Sequence, residues 1–411
     1  MFSHDVDGRR VLNDLGALRA MGAYRTGVHR PTLSEPHLRS LHWLVAQLKE
    51  AGLAATIEGI GNVLGTVSGT GPRLLAGSHL ESQNHAGWLD GPLGVVYALE
   101  AARVVNAGPA GAGAVEVAAW CDEEGHFGHM LGSRSFAGLV TDAEIDAARD
   151  RTSGTPLREA LANAGLAGRP RITAEAGHYL GYLEAHIEQG DTLEHERLAI
   201  GVVTSIVGIW QYRISFAGEH NHAGTTRMAA RRDAGLALAR LCVAIDDRFP
   251  AAAGSHTVWT TGRISLDPGA PSIIPGAAEM LFQIRDDDAA VIERLENLLR
   301  ALAAEATAAG PCGVAVECIR AGTPAVMDAR FQDAVEAAAG AKAGGRSLRM
   351  PSGAGHDAQI LARIMPAGML FVPSIGGISH HWKEDTSDAD IVTGARVFVD
   401  ACRRLLGRQS G

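Results

Sequence analysis

AVEVAAWCDEE, residues Ala114 to Glu124, runs from apolar to acidic within a few positions. A short apolar run bounded by polar residues reads as a buried strand, here Ala114–Trp120, which delivers Cys121, Asp122, Glu123 and Glu124 at its end. The same pattern occurs upstream, where Leu74–Ser78 leads directly into His79 and Glu81. Gly91–Val105 follows another polar turn and reads as a helix, and Ser34–Ala51 reads as an earlier one, with Ser34 and Glu35 at its start and Gly52 as its stop. Strands that alternate with helices imply an α/β domain with a mostly parallel sheet. In such folds ligand-binding groups gather beyond the carboxyl ends of the strands.

Outward from that core the pattern changes. In Tyr182–Glu188, Leu183, Ala185 and Ile187 alternate with Glu184, His186 and Glu188, the period of a strand that ends in a polar site. From about Ile209 the expected order is strand Tyr212–Phe216, helix Ala229–Asp247, strands Thr257–Ile264 and Ala278–Ile284, helix Asp288–Ala308 and strand Val314–Ile319. This β-α-β-β-α-β order matches a ferredoxin-like α+β unit. Because α/β patterning resumes near Phe331, the middle unit is an insertion. The expected division is residues 1–210 and 329–411 for the α/β domain and 211–328 for the inserted α+β unit.

A chain of 411 residues with 46% hydrophobic content can fill two cores. Cys121, Cys242, Cys312, Cys318 and Cys402 are odd in number, dispersed and free of CxxC spacing, so they read as reduced thiols. The charged residues near the amino terminus precede no apolar segment of the kind a secretion signal needs, and no stretch is long and apolar enough to cross a bilayer. A cytoplasmic protein without a membrane partner is expected. The net charge of -9 opposes an extended nucleic-acid surface. No glycine-rich segment completes a nucleotide-binding fingerprint, and Ser352 lacks the GxSxG elbow of a serine hydrolase.

The chemistry concentrates in His79, Asp90, Glu124, His186 and His380. Imidazoles and carboxylates suit borderline divalent ions, and a carboxylate can bridge two ions about 3.5–4 Å apart while water takes an open position. Taken singly, a buried histidine more often satisfies a core hydrogen bond, and an acidic turn is more often solvated surface. The dispersed spacing alone leaves both readings open.

Longer motifs decide between them. GSHLES at Gly77–Ser82, GWLDGPLGV at Gly87–Val95, DEEG at Asp122–Gly125, LGSRSFAG at Leu131–Gly138 and EAHIEQG at Glu184–Gly190 occur in that order. NHAGTTRM at Asn221–Met228, IPG at Ile274–Gly276, SGAGHDA at Ser352–Ala358 and GISHHWKE at Gly377–Glu384 follow. The whole series resembles the M20 metallopeptidase-like amidohydrolases, especially their N-carbamoyl-L-amino-acid hydrolase, β-ureidopropionase and allantoate amidohydrolase branch.

That resemblance implies two divalent metal ions, zinc foremost, with manganese, cobalt or nickel also compatible. His79, Asp90 and His186 would surround one ion, with Asp90 bridging to a second held by Glu124 and His380. Glu123 would be the general base. Glu81 would orient His79 through its other ring nitrogen, and Glu384 would orient the His380 side, which the GISH pattern favours over His381. His222 would stabilise the developing oxyanion, from its own or the opposite subunit, with residues 211–328 serving as lid and dimerisation domain of a homodimer. Arg285 would take a substrate carboxylate, while Gln189, Gly355, His356 and Ser272 would line the substrate pocket.

The chain also departs from the family pattern. Glu81 stands where Asp is usual, Ser272 where Asn is usual, and His220 replaces a small residue; the loop after Glu124 is shortened. The expected activity is hydrolysis of a small N-carbamoyl amino acid or related ureido acid. An aminoacylase or dipeptidase acting on another N-acyl substrate is the alternative enzyme, and a catalytically silent dimeric binding protein the alternative of another class.

Overall fold

The structure is a computed structural model that describes residues 5–108 and 113–407. The chain divides into two compact units. The larger takes the chain up to Thr204, Val326–Ser352 and the chain from His356; the smaller takes Ser205–Ala325 and Gly353–Gly355.

The larger unit is built around strands β1 (Ala54–Ile57), β2 (Val63–Thr66), β3 (Arg73–His79), β4 (Ala114–Trp120), β5 (Tyr182–Ile187) and β6 (Ile200–Ile206). Ser347–Ser352 and Ala367–Val372 also join its sheet. From β6 the hydrogen-bonded order is Ala367–Val372, β5, β3, β4, β2 and β1. The four central strands, from Ala367–Val372 to β4, are parallel to one another. On either side, β6 pairs antiparallel with Ala367–Val372, and β2 pairs antiparallel with both β4 and β1. The sheet is therefore mixed, and the expectation of a mostly parallel one holds only for its centre. Those central strands are buried, and β3, β4 and Ala367–Val372 read as near-continuous apolar runs, whereas β5 alternates because it carries Glu184 and His186.

Helix α1 (Glu35–Glu50) starts after Ser34, with Pro36 in its first turn, and buries His37, Leu41, Leu44 and Leu48 along one stripe. Helix α2 (Pro92–Val105) is buried over its whole length. It begins at Gly91, whose φ of +86° is left-handed and whose added Cβ would come within 2.5 Å of the His79 ring. Only glycine lets the turn after Asp90 run this close to the imidazole.

The smaller unit follows the β-α-β-β-α-β order in β7 (Gly208–Ala217), α3 (Ala234–Arg248), β8 (Val258–Asp267), β9 (Ala277–Asp286), α4 (Ala289–Ala309) and β10 (Gly313–Ala321). Its sheet order is β8-β9-β7-β10, with every neighbouring pair antiparallel. Tyr212, Ile214 and Phe216 alternate inward from β7, and Met280, Phe282 and Ile284 from β9. They share a core with Leu238, Leu241, Leu295 and Leu299 of the two helices. Helix α3 begins at Ala234 rather than Ala229, because the Asp233 carboxylate caps it by accepting from the Leu236 amide at 3.0 Å. Among the described residues no helix is long and apolar enough to cross a membrane.

Candidate metal centre

Strand register explains how distant residues converge. In parallel β3 and β5, Gly77 lies opposite Glu184. Two residues further on, His79 and His186 therefore reach the same level and face, with ring centroids 6.0 Å apart. β4 ends at Trp120, opposite His79, so Glu123 and Glu124 follow immediately. Asp90 comes from the turn that opens α2, and His380 from a loop where its φ is +54°.

Two groups of side chains result, each with its ligand atoms mutually within 4.8 Å: His79, Asp90 and His186, and Asp90, Glu124 and His380. Asp90 belongs to both. Its Oδ1 lies 3.4 Å from His79 Nε2 and 3.1 Å from His186 Nε2. Its Oδ2 lies 3.4 Å from His380 Nε2, which is 3.8 Å from Glu124 Oε2. Each oxygen of one carboxylate thus serves a different group, the geometry of a bridging ligand.

The ring tautomers fit cations. His79 Nδ1 faces the Glu81 carbonyl at 3.1 Å and His186 Nδ1 faces the Ile187 carbonyl at 2.9 Å, so each Nδ1 carries hydrogen and each Nε2 offers a lone pair to the centre. His79 Nε2 is buried without a hydrogen-bond partner, a position that a metal would satisfy. Glu81 thus meets His79 with its main-chain carbonyl; its carboxylate Oε1 is 3.8 Å from that ring nitrogen and instead accepts from the Glu123 amide at 2.6 Å. The added methylene of Glu over Asp carries the carboxylate past the ring.

Other groups hold the ligands in place. Glu384 accepts from the Leu89 and Asp90 amides at 3.2 and 3.1 Å. Gly87 leaves room for it, since a Cβ there would collide with the Glu384 carboxylate. Gln189 Nε2 donates to Asp90 Oδ2 at 2.9 Å and to Ser379 Oγ at 3.0 Å. Gln83 donates from its amide nitrogens to both oxygens of Glu124, at 3.1 and 2.7 Å, and Arg151 donates to Gln83 Oε1. Gln83, Ser379 and Arg151 were missed in the sequence, although Gln83 adjoins the GSHLES motif and Ser379 lies within GISH. His381 belongs to neither metal group; its Nδ1 accepts from the Lys383 amide at 3.2 Å.

Glu123 completes this cluster, with Oε2 3.8 Å from His79 Nε2. Burial pushes its carboxyl pKa well up, the charges of Glu124, Asp357 and Asp90 add to the rise, and His79 opposes it. His356 is buried with its ring centroid 4.6 Å from that of His186 and its Nε2 2.9 Å from Ser352 Oγ. Burial, then the neighbouring His186, holds it neutral.

The remaining candidates belong to the smaller unit. Arg285 Nη1 donates to the Gly353 carbonyl at 2.8 Å. With the Gln283 amide turned so that its oxygen faces the guanidinium, Gln283 accepts from Arg285 Nε at 2.9 Å and Nη2 at 3.3 Å. His222 is exposed, and its Nδ1 accepts from the Gly224 and Thr225 amides at 3.0 and 3.1 Å, which leaves the ring hydrogen on Nε2. Ser272 accepts from the Ala223 amide through its main-chain carbonyl at 3.0 Å. His220 Nε2 faces the Asp267 carbonyl at 3.0 Å, and Gly355 lies in the Gly353–Gly355 segment.

The sequence profile of peptidase family M20/M25/M40 matches residues 66–404. An N-carbamoyl-L-amino-acid amidohydrolase of Paenarthrobacter aurescens is 35% identical over 410 residues, covering 96% of this chain and 97% of that protein. An allantoate amidohydrolase of Bacillus subtilis strain 168 is 33% identical over 384 residues, covering 90% and 92%. A crystal structure of an amidase of the hydantoinase/carbamoylase family from Burkholderia phymatum superposes with a TM-score of 0.91 at 45% identity, covering 99% of each chain.

Proposed function

The chain belongs to peptidase family M20/M25/M40, and from that premise we propose that it hydrolyses the ureido C–N bond of a small N-carbamoyl amino acid or related ureido acid. It is a hydrolase of amide or ureido C–N bonds, as its named relatives are. The observation that supports a metal-dependent mechanism is Asp90, which turns one oxygen to His79 and His186 and the other to the His380 side.

His79, His186 and Asp90 would hold one divalent ion, and Asp90, Glu124 and His380 the other. Bound there, such ions polarise a carbonyl and make water acidic enough to be deprotonated near neutral pH. Zinc suits this donor set, and manganese, cobalt or nickel are compatible with it. Glu123 takes the proton of the attacking water as its oxygen bonds to the substrate carbonyl carbon. It returns that proton to the nitrogen as the C–N bond breaks. His222 donates from Nε2 to the oxygen on which negative charge develops. Arg285 pairs with the substrate carboxylate, which a guanidinium can meet with two parallel hydrogen bonds. Gln189 keeps Asp90 oriented, and His356, Gly355 and Ser272 border the substrate. An N-carbamoyl amino acid would yield the free amino acid and carbamate, which breaks down to carbon dioxide and ammonia.

The test is a screen of metal-restored protein against N-carbamoyl amino acids, allantoate and simple N-acyl amino acids, with products resolved by mass. Release of ammonia and a free amino acid supports the proposal. A carboxylic acid without ammonia would instead establish an aminoacylase or dipeptidase. Allantoate ranks below the broader class, because the Ser272 hydroxyl cannot reproduce the paired donor and acceptor of the usual amide.

A further inference from the structure

His37 is fully buried on the inner stripe of α1. Its Nδ1 accepts from the Leu33 amide at 2.9 Å, so the hydrogen of the neutral ring sits on Nε2. That nitrogen lies 3.6 Å from Glu81 Oε2. Both atoms are buried without a hydrogen-bond partner among the described residues, and each is the polar neighbour the other faces. The opposite oxygen of the same carboxylate accepts from the Glu123 amide at 2.6 Å, and the Glu81 carbonyl faces His79 Nδ1. Arg30, also buried, contributes positive charge toward Glu81, but its hydrogen bonds go elsewhere: Nε donates to the Leu80 carbonyl and Nη1 to those of Leu18 and Met21. Direction at Oε2 therefore comes from His37.

We infer that His37 is a positioning residue for the reaction: from 3.6 Å, longer than a hydrogen bond, the dipole of its Nε2–H attracts and orients the Glu81 carboxylate, which fixes the Glu123 main chain and so the aim of the Glu123 side chain. The inference rests on the reading of Glu123 as the general base. The sequence conceals it, since His37 lies forty-odd positions before Glu81 in an ordinary amphipathic helix, and helix burial alone would explain it.

The two ring nitrogens can be separated by substitution. In His37→Asn the side-chain oxygen can occupy the place of Nδ1 and keep the Leu33 contact, but the amide is too short to reach Glu81. In His37→Gln the amide nitrogen reaches the place of Nε2 and can donate to Glu81. If His37 acts through Glu81, Asn lowers kcat by about 10- to 100-fold, the usual scale for groups that orient a reactive site, with KM and metal content little changed. Gln should stay within about 3-fold of the parent. A second reading is taken without metal or substrate: amide exchange in the peptide that contains Glu123 should quicken in His37→Asn and not in His37→Gln, at equal thermal stability. Parent-like kcat and exchange in His37→Asn would overturn the inference, as would equal losses in both variants. If the parent itself hydrolysed no ureido or amide substrate, the proposed function would fail, while the exchange comparison would still decide whether His37 orders the Glu123 main chain.

Discussion

Asp90 divides the centre into two unequal halves. His79 and His186 on its Oδ1 side are almost fully buried, whereas the His380 side chain is 52% exposed and Glu124 shares its oxygens with Gln83. A ligand in contact with water should hold its ion less tightly than the buried ligands hold theirs. Chelation is thus expected to empty the Glu124–His380 position first, and His380→Ala to leave the buried position loaded. Metal analysis against chelator concentration checks this; simultaneous loss of both ions would contradict it. Glu123→Gln removes the base while leaving every proposed ligand in place. It should retain metal and lower kcat by about 10²–10⁴-fold, measured in single turnovers. Near-normal single-turnover chemistry would take the base role from Glu123.

At the scale of elements, legibility followed burial. β3 and β4 are central strands whose apolar runs end in polar residues, and β5 alternates apolar with polar residues before its polar end, so their positions and functional ends could be read from the sequence. The antiparallel flanks could not. β1 and β2 are four residues long and contain Ala55 and Gly65, with too short a pattern to register as strands. The ligands were legible because they sit in motifs, but the groups that orient them depend on spatial neighbours such as Arg151 and His37. Helix α1 also carries a pH prediction. Burial pushes the His37 pKa down from its ordinary 6.5 to about 4. Below 6.5 the unfolded chain therefore takes a proton that the folded chain refuses until about 4. The stability contributed by this group is complete above 6.5 and is lost as pH falls toward 4, by on the order of 3 kcal/mol. His37→Gln has no such proton to bind. The stability difference between parent and variant, followed by urea unfolding, should shift in favour of the variant over that window; parallel curves would show that His37 is not held neutral.

At the scale of the whole molecule, the smaller unit has features of a surface that another chain covers. β8 is an edge strand of ten residues, mostly exposed, with Val258, Ile264 and Leu266 among its exposed apolar side chains. Edge strands of this length offer unpaired main-chain groups to a partner unless something blocks them. A homodimer built through this unit fits that surface and the family resemblance, in which the His222 position serves the opposite active site. Symmetry would then make a sharp test possible, because both subunits of such a dimer would donate and receive the same residue. Glu123→Gln chains keep His222 but lack the base, and His222→Ala chains keep the base but lack the donor. In a mixed dimer, the site built on the His222→Ala chain would regain both groups, while the other site would have neither. Random exchange of equal amounts should therefore restore about a quarter of the parent activity from two nearly inactive proteins. Mixed dimers verified by mass but without recovered activity would place His222 in service of its own chain.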